Sequence, residues 1–328
     1  MSVTAAISTR AYIGSLLCQR DSFARTIQTV VISCVESSVS GSTDAVHSKP
    51  KMFEVVLADT VIFPTGGGQP NDLGKINGIP IVDARRVGLD CVHILNNPVE
   101  KDQVVQVDLD WDRRFDHMQQ HSAQHLLSAI AQKEFDMKTV GWSLGKAVCY
   151  IEVTAEPKQH VLDALEQQVN AYIRKRIAVS VVEHDMNEHD MPKKLPSDLD
   201  GAVVRCITFD GLDNNTCCGT HVENSADIQC CKLLHTERVR GGNTRVFFVA
   251  GNRVFQSYQS TFLRNRKLTD LLSTGPENFV ERVEGLKKNI KELIKTNKKQ
   301  SKEIAALEKL KLGDLGTTAN ASQSIAKQ

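Results

Sequence analysis

His117, His121 and His125 recur at four-residue intervals beside Ala123, Leu126, Leu127 and Ile130, which are spaced for one face of a helix. The three imidazoles therefore project from a common face. A histidine pair at i, i+4 can present two nitrogens to one metal ion. Far downstream, Asn215-Thr216-Cys217-Cys218-Gly219-Thr220-His221 supplies a thiol and another imidazole. Two pairs of nitrogen or sulfur donors, one of two imidazoles and one of a thiol with an imidazole, suit one zinc ion per chain, because zinc accepts both ligand types and brings no redox chemistry to a thiol-rich protein. Each half alone is commonplace, and the signal lies in their co-occurrence. Spacing leaves Cys217 and Cys218 equally eligible, and His117 is left over as a supporting or surface group.

The elements that must position these donors follow from periodicity. From about Thr26 to Arg114 the pattern is β, with apolar residues at Thr29–Val35, Phe53–Phe63, Ile76–Val82, Cys91–Leu95 and Val104–Leu109, which predicts a small barrel or curled sheet. Within it lies Pro64-Thr65-Gly66-Gly67-Gly68-Gln69-Pro70-Asn71-Asp72, the most glycine-dense segment of the chain. No Gly-Lys-Ser/Thr closes it and no helical pattern follows, so it is not a phosphate-binding P-loop. It is either a hairpin turn or a place where backbone closely approaches a ligand or a second domain. The histidine helix comes next, then a strand at Ala147–Val153 and a helix over about 159–175. Strands resume at Val179–Glu183, Val203–Phe209, Ile228–Leu234 and Arg245–Val249.

The fold class is therefore α+β. Residues 1–20 form an extension expected to be disordered, 21–115 the barrel with its glycine-rich loop, and 116–260 an α+β zinc-containing domain. Residues 261–312 form a helical coiled-coil segment, and 313–328 are expected to be a disordered tail. Val283, Ile290, Asn297 and Ile304 recur at sevens, offset by three from Leu286, Leu293, Gln300 and Leu307, which is an a/d seam suited to self-association. Lys287, Lys288, Lys291, Lys295, Lys298, Lys299 and Lys302 line its other faces, as a solvated surface or as contacts to a phosphate backbone.

A net charge of +1 over 328 residues excludes a general polyanion binder, so any nucleic acid must be met by local patches. No apolar run is long enough to cross a bilayer, so no membrane partner is expected. Nine cysteines, several in vicinal pairs, fit a reducing compartment rather than a disulfide framework. The expected location is cytoplasmic. A mitochondrial leader is the alternative, because Arg10 and Arg20 appear with hydroxyl residues and no acid precedes Asp21.

Three motifs then occur in one order: Gly66-Gly67-Gly68-Gln69-x-x-Asp72-x-Gly74, His121-x-x-x-His125-Leu126-Leu127 and Cys217-x-Gly219-Thr220-His221-Val222. With them the sequence resembles the alanyl-tRNA editing proteins, free-standing relatives of the alanyl-tRNA synthetase editing domain. The run from Arg113 to His121 and the Cys217-Cys218 pair most resemble the long animal form, and the likeness extends from about Cys18 to Leu312. The resemblance implies that His121, His125, Cys217 and His221 ligate zinc. It also implies that Gly67, Gly68, Gln69 and Asp72 face a substrate cleft, and that the activity is hydrolysis of serine, or glycine, from mischarged tRNA(Ala). The alternative is a non-catalytic zinc-stabilised tRNA-binding module.

Such a site should hydrogen-bond the serine hydroxyl, because alanine would then leave a buried polar group unsatisfied. Ser143 and Thr220 are the candidate catalytic-site hydroxyls, with Thr139 beside them. Two departures from the family stand out: Cys218 occupies a position that is glycine in the synthetase version, and the long forms continue into a globular domain after the coil.

Overall fold

The computed structural model describes residues 14–37, 51–185, 203–239 and 241–325. Six strands close into a barrel: β1 (Thr26–Glu36), β2 (Phe53–Leu57), β3 (Gly74–Ile76), β4 (Ile79–Val87), β5 (Asp90–Leu95) and β6 (Val104–Leu109), in the order β1-β2-β5-β4-β3-β6. Alternate residues such as Val31, Val55, Leu57, Ile76, Leu95, Val105 and Val107 fill its interior, as a barrel of this size requires. The stretch expected as strand through Phe63 leaves the sheet after Leu57. Val61, Ile62 and Phe63 are nevertheless buried, as part of the barrel's hydrophobic core.

Helix α2 (Trp111–Phe135) starts directly after the barrel, where the Asp110 carboxylate accepts the Arg113 N–H at 3.2 Å as a cap. It ends at Asp136, which takes the left-handed conformation (φ 52°). Its apolar side, Ala123, Leu126, Leu127 and Ile130, is fully buried. It packs with α3 (Gln159–Arg174) and with a four-stranded sheet ordered β12-β13-β8-β7. Those strands are β7 (Thr139–Leu144), β8 (Cys149–Val153), β12 (Cys231–Arg238) and β13 (Thr244–Ala250). A three-stranded sheet, β11-β10-β9, completes the core through β9 (Val179–Asp185), β10 (Val203–Phe209) and β11 (Asp213–Thr216).

Barrel and α+β part are not separate bodies: they form one compact unit reaching Gln256. A buried ion pair joins them. Arg114 on α2 has no exposed surface; its Nε and Nη2 donate to Asp72 Oδ2 at 2.8 and 2.5 Å. The remaining donors reach the Ser22 and Val61 carbonyls at 2.8 and 2.5 Å. Leu17–Arg20 form a short helix, α1, with Cys18 and Gln19 buried, so the expected disordered extension is already structured before its end at residue 20; residues 1–13 lie outside the described region.

The second unit starts at Ser257 and contains the rest of α4 (Asn252–Leu272) and α5 (Phe279–Ile325). α5 continues past Leu312, through most of the segment expected to be a disordered tail. Its seam residues Val283, Leu286, Ile290 and Leu293 are exposed. No helix among the described residues is long and apolar enough to cross a membrane.

Removing one member of a buried ion pair leaves the other charge unpaired, at a cost of about 3–5 kcal/mol, whereas replacing both by apolar residues costs far less. Arg114→Met is therefore expected to lower unfolding stability by about that amount, and Arg114→Met with Asp72→Leu to recover much of it. Urea unfolding measures both, and a loss under about 1 kcal/mol in the single variant would remove the pair from its place as the joint.

Candidate metal centre

α2 turns His121 and His125 toward the loop that follows β11, and that loop returns Cys217 and His221. One donor atom from each of the four lies within 4.8 Å of every other. Cys217 Sγ sits 3.4 Å from His121 Nε2 and 3.3 Å from His221 Nε2. The loop is anchored by Arg205 on β10. Its backbone carbonyl accepts the Cys217 N–H at 3.1 Å, and its guanidinium donates to the Cys217 carbonyl at 2.5 Å and to the Gln19 carbonyl at 3.0 and 3.2 Å. Cys218, eligible by spacing, is drawn the other way: its carbonyl accepts Gln19 Nε2 at 2.8 Å, and its thiol is outside the cluster.

Gly219 must be glycine for reasons of space. A Cβ there would lie 2.3 Å from the His121 ring and 2.7 Å from Gln69 Oε1. Its N–H instead donates to Cys217 Sγ at 3.3 Å.

The ring orientations are held from behind. Gln69 Oε1 accepts the Thr220 backbone N–H at 3.0 Å and lies 2.8 Å from His121 Nδ1. An amide oxygen can only accept, so Nδ1 carries the proton and Nε2 offers its lone pair to the cluster. Gln69 Nε2 donates to Thr220 Oγ1 at 2.8 Å, which uses the whole amide. For His221, Ser122 Oγ accepts the Val222 N–H at 3.1 Å and stands 3.2 Å from Nδ1, again leaving Nε2 for the centre. The His125 ring stacks on Phe209, with centroids 6.4 Å apart.

Burial, and then the neighbouring imidazoles, push His121 and His221 well below the usual histidine range, while burial with the Arg205 charge takes His125 down to about 4. Burial likewise pushes the Cys217 thiol up to about 12, against the opposing pull of Arg205. Three neutral imidazoles and one protonated thiol thus converge in a buried space, and no carboxylate joins the cluster among the described residues. A thiophilic divalent cation fits this donor set: it takes the lone pairs directly and displaces the thiol proton.

The other expected site residues divide. Thr220 is buried and joined to Gln69, and Gln69 supports His121 rather than standing free in a cleft. Gly67 and Gly68 have φ of 54° and 80°, which favours glycine. A Cβ on Gly68 would lie 2.5 Å from the Trp142 ring, which itself packs 5.0 Å from His121, so the turn rests against the centre through Trp142. Asp72 lies instead in the barrel–helix joint with Arg114, fully buried. His117, also buried and 4.0 Å from Asp72 Oδ1, belongs to the same joint.

Ser143 does not join the cluster. It is paired directly with Tyr150, whose ring contacts Phe247 and Arg245 on the sheet's outer face. Trp142 is paired with the buried Ile151 on the inner one. Adjacent strand residues face opposite ways. Thr139 pairs with the buried Val153 at the far end of β7 from Leu144. Sequence reasoning missed Ser122, Trp142 and Arg205. Only Ser122, a polar residue next to a ligand on an inward helix face, carried a local signal.

Comparison with known proteins bears on this donor set. Residues 204–247, which include Cys217 and His221, match the family described as "Threonyl and Alanyl tRNA synthetase second additional domain". A rat protein, "Alanyl-tRNA editing protein Aarsd1", is 42% identical over 303 residues, covering 89% of this chain and 72% of its own. This chain belongs to the alanyl-tRNA editing protein family. The yeast "Putative alanyl-tRNA editing protein alaX" is 31% identical, with 94% and 73% covered. The "Alanyl-tRNA editing protein AlaX-L" of Pyrococcus horikoshii is 27% identical, with 76% and 64% covered.

Cys217→Ala and His121→Ala are expected to lose most bound metal, and Cys218→Gly to keep it. Gln69→Leu should weaken binding by roughly 10–100-fold, the usual effect of removing a partner behind a ligand. Metal analysis of the purified variants decides this. Full occupancy in Cys217→Ala with loss in Cys218→Gly would move the ligand by one residue.

Proposed function

We propose that this protein hydrolyses the ester linking serine, and also glycine, to mischarged tRNA(Ala), through one zinc ion held by His121, His125, Cys217 and His221. The observation that carries the reading is the convergence of four neutral donors in a chain of the alanyl-tRNA editing family. A synthetase pocket sized for alanine cannot exclude glycine and rejects serine poorly, so a second hydrolytic site is the physical remedy.

Bound there, zinc supplies Lewis-acid polarisation of the ester and acidification of water. The chain's own residues do the rest. Gln69 and Ser122 hold the imidazoles so that no reorganisation is needed at the moment of reaction. Trp142, packed on His121 and under Gly68, limits water at the centre. Thr220 Oγ1 accepts from Gln69, which leaves its own O–H to donate to a substrate oxygen. An aminoacyl ester is already labile, so positioning of the acyl group and one water suffices. Self-association through the exposed seam of α5 and backbone contacts from its lysines are part of the same proposal.

Purified zinc-loaded protein is expected to release serine, and more slowly glycine, from tRNA(Ala), while leaving alanyl-tRNA(Ala) largely intact. Chelation should abolish release. Tight binding of mischarged tRNA with no release of serine would identify a non-catalytic binding module instead.

A further inference from the structure

Five glutamines are buried among the described residues: Gln19, Gln69, Gln119, Gln120 and Gln124. Gln69 uses its whole amide on His121 and Thr220. Gln120 exchanges two hydrogen bonds with the Ala250 backbone, both at 2.9 Å. Gln119 donates to the Asp227 carbonyl at 2.8 Å and accepts the Asn252 N–H at 3.4 Å. Gln19 donates to Cys218. Gln124 differs: its Nε2 donates to Ser128 Oγ at 3.0 Å, but its Oε1 is buried with no hydrogen-bond partner.

Its place on α2 gives the orphan meaning. Gln124 is three residues after His121, so its side chain leaves the helix next to that ligand, about 60° round from it, and about 100° round from His125. It is only 5% exposed, and an amide atom stranded there is destabilising until something bonds to it. Exchanging the amide's oxygen and nitrogen does not remove the cost. Ser128 Oγ can serve either end, and the other end stays unsatisfied. Thr139 and Thr244 also hold buried hydroxyls without partners, but each lies across from Val153 on the sheet and not on the helix that carries His121 and His125.

We propose that Gln124 is a specificity-determining residue that hydrogen-bonds the side-chain hydroxyl of the seryl group. This rests on the hydrolytic reading above. A hydroxyl both donates and accepts, so it satisfies whichever end of the amide faces it. Alanine and glycine offer no such group and leave the amide stranded. The assignment also fills the role that Ser143, on the outer face of the sheet, does not take.

The test compares release of serine, glycine and alanine from tRNA(Ala) by the zinc-loaded full chain and by Gln124→Met and Gln124→Glu. Methionine conserves volume without a hydrogen-bonding amide, and glutamate keeps an acceptor oxygen. Gln124→Met is expected to lower kcat/KM for serine on the order of tenfold and to leave glycine and alanine within about twofold. Bound zinc should match the parent, and the melting temperature should not fall, because methionine removes an unsatisfied buried amide. Gln124→Glu should retain the preference for serine. An equal loss on all three substrates would make Gln124 a contact to the shared α-amino group or a structural residue, and unchanged serine release would remove it from the site; either overturns the proposal while the hydrolytic reading stands. Failure of the parent protein to release any of the three overturns both.

Discussion

One side-chain amide ties the parts of this molecule to its centre. Gln69 belongs to the barrel's glycine-dense turn, yet its three hydrogen bonds go to His121 on α2 and to the backbone and hydroxyl of Thr220 in the ligand loop. It fixes the tautomer of one ligand and the height of the loop carrying two others. The glycines on both sides serve that contact. Gly68 lets the turn lie on Trp142, and Gly219 lets the ligand loop pass against His121 with no Cβ between them. The Arg114–Asp72 pair then locks the barrel to the helix about two turns before His121 and about three before His125. Without that joint, Gln69 would have no fixed position from which to hold His121.

The electrostatics follow from the same burial. Imidazoles crowded in a space closed to solvent cannot take up a second proton and become charged, and the thiol beside them cannot easily lose its own. The fixed positive charge nearby is Arg205, whose donors are spent on the Gln19 and Cys217 carbonyls. The cluster is thus an array of donors suited to a cation. Four protein donors describe a closed coordination shell, so participation of metal in chemistry requires expansion to five ligands or displacement of one.

Much of this was legible in the sequence where it is periodic. The i, i+4 histidines sit on a real helix whose opposite side is Ala123, Leu126, Leu127 and Ile130. Alternation gave the barrel. Strands β7 and β11 escaped notice, because Thr-Val-Gly-Trp-Ser-Leu and Asp-Asn-Asn-Thr carry glycine or polar residues in place of a hydrophobic alternation.

What failed depended on register or on distant partners. Which face Ser143 takes is decided by its pairing with Tyr150, after a bulge between Thr139 and Gly141, and one residue of slip would reverse it. Asp72 reads as a loop acid, but its partner Arg114 lies 42 residues away. Cys217, left open against Cys218 by spacing but implied by the family resemblance, is the cysteine in the cluster, and its loop is held by partners as far off as Gln19, 199 residues from Cys218.

The central claim, that one thiolate and three imidazoles form a single centre, is tested most directly by X-ray absorption at the zinc edge of the purified protein. The account predicts three nitrogen scatterers at about 2.0–2.1 Å and one sulfur at about 2.3 Å. A shell with no sulfur, or with two, would contradict it.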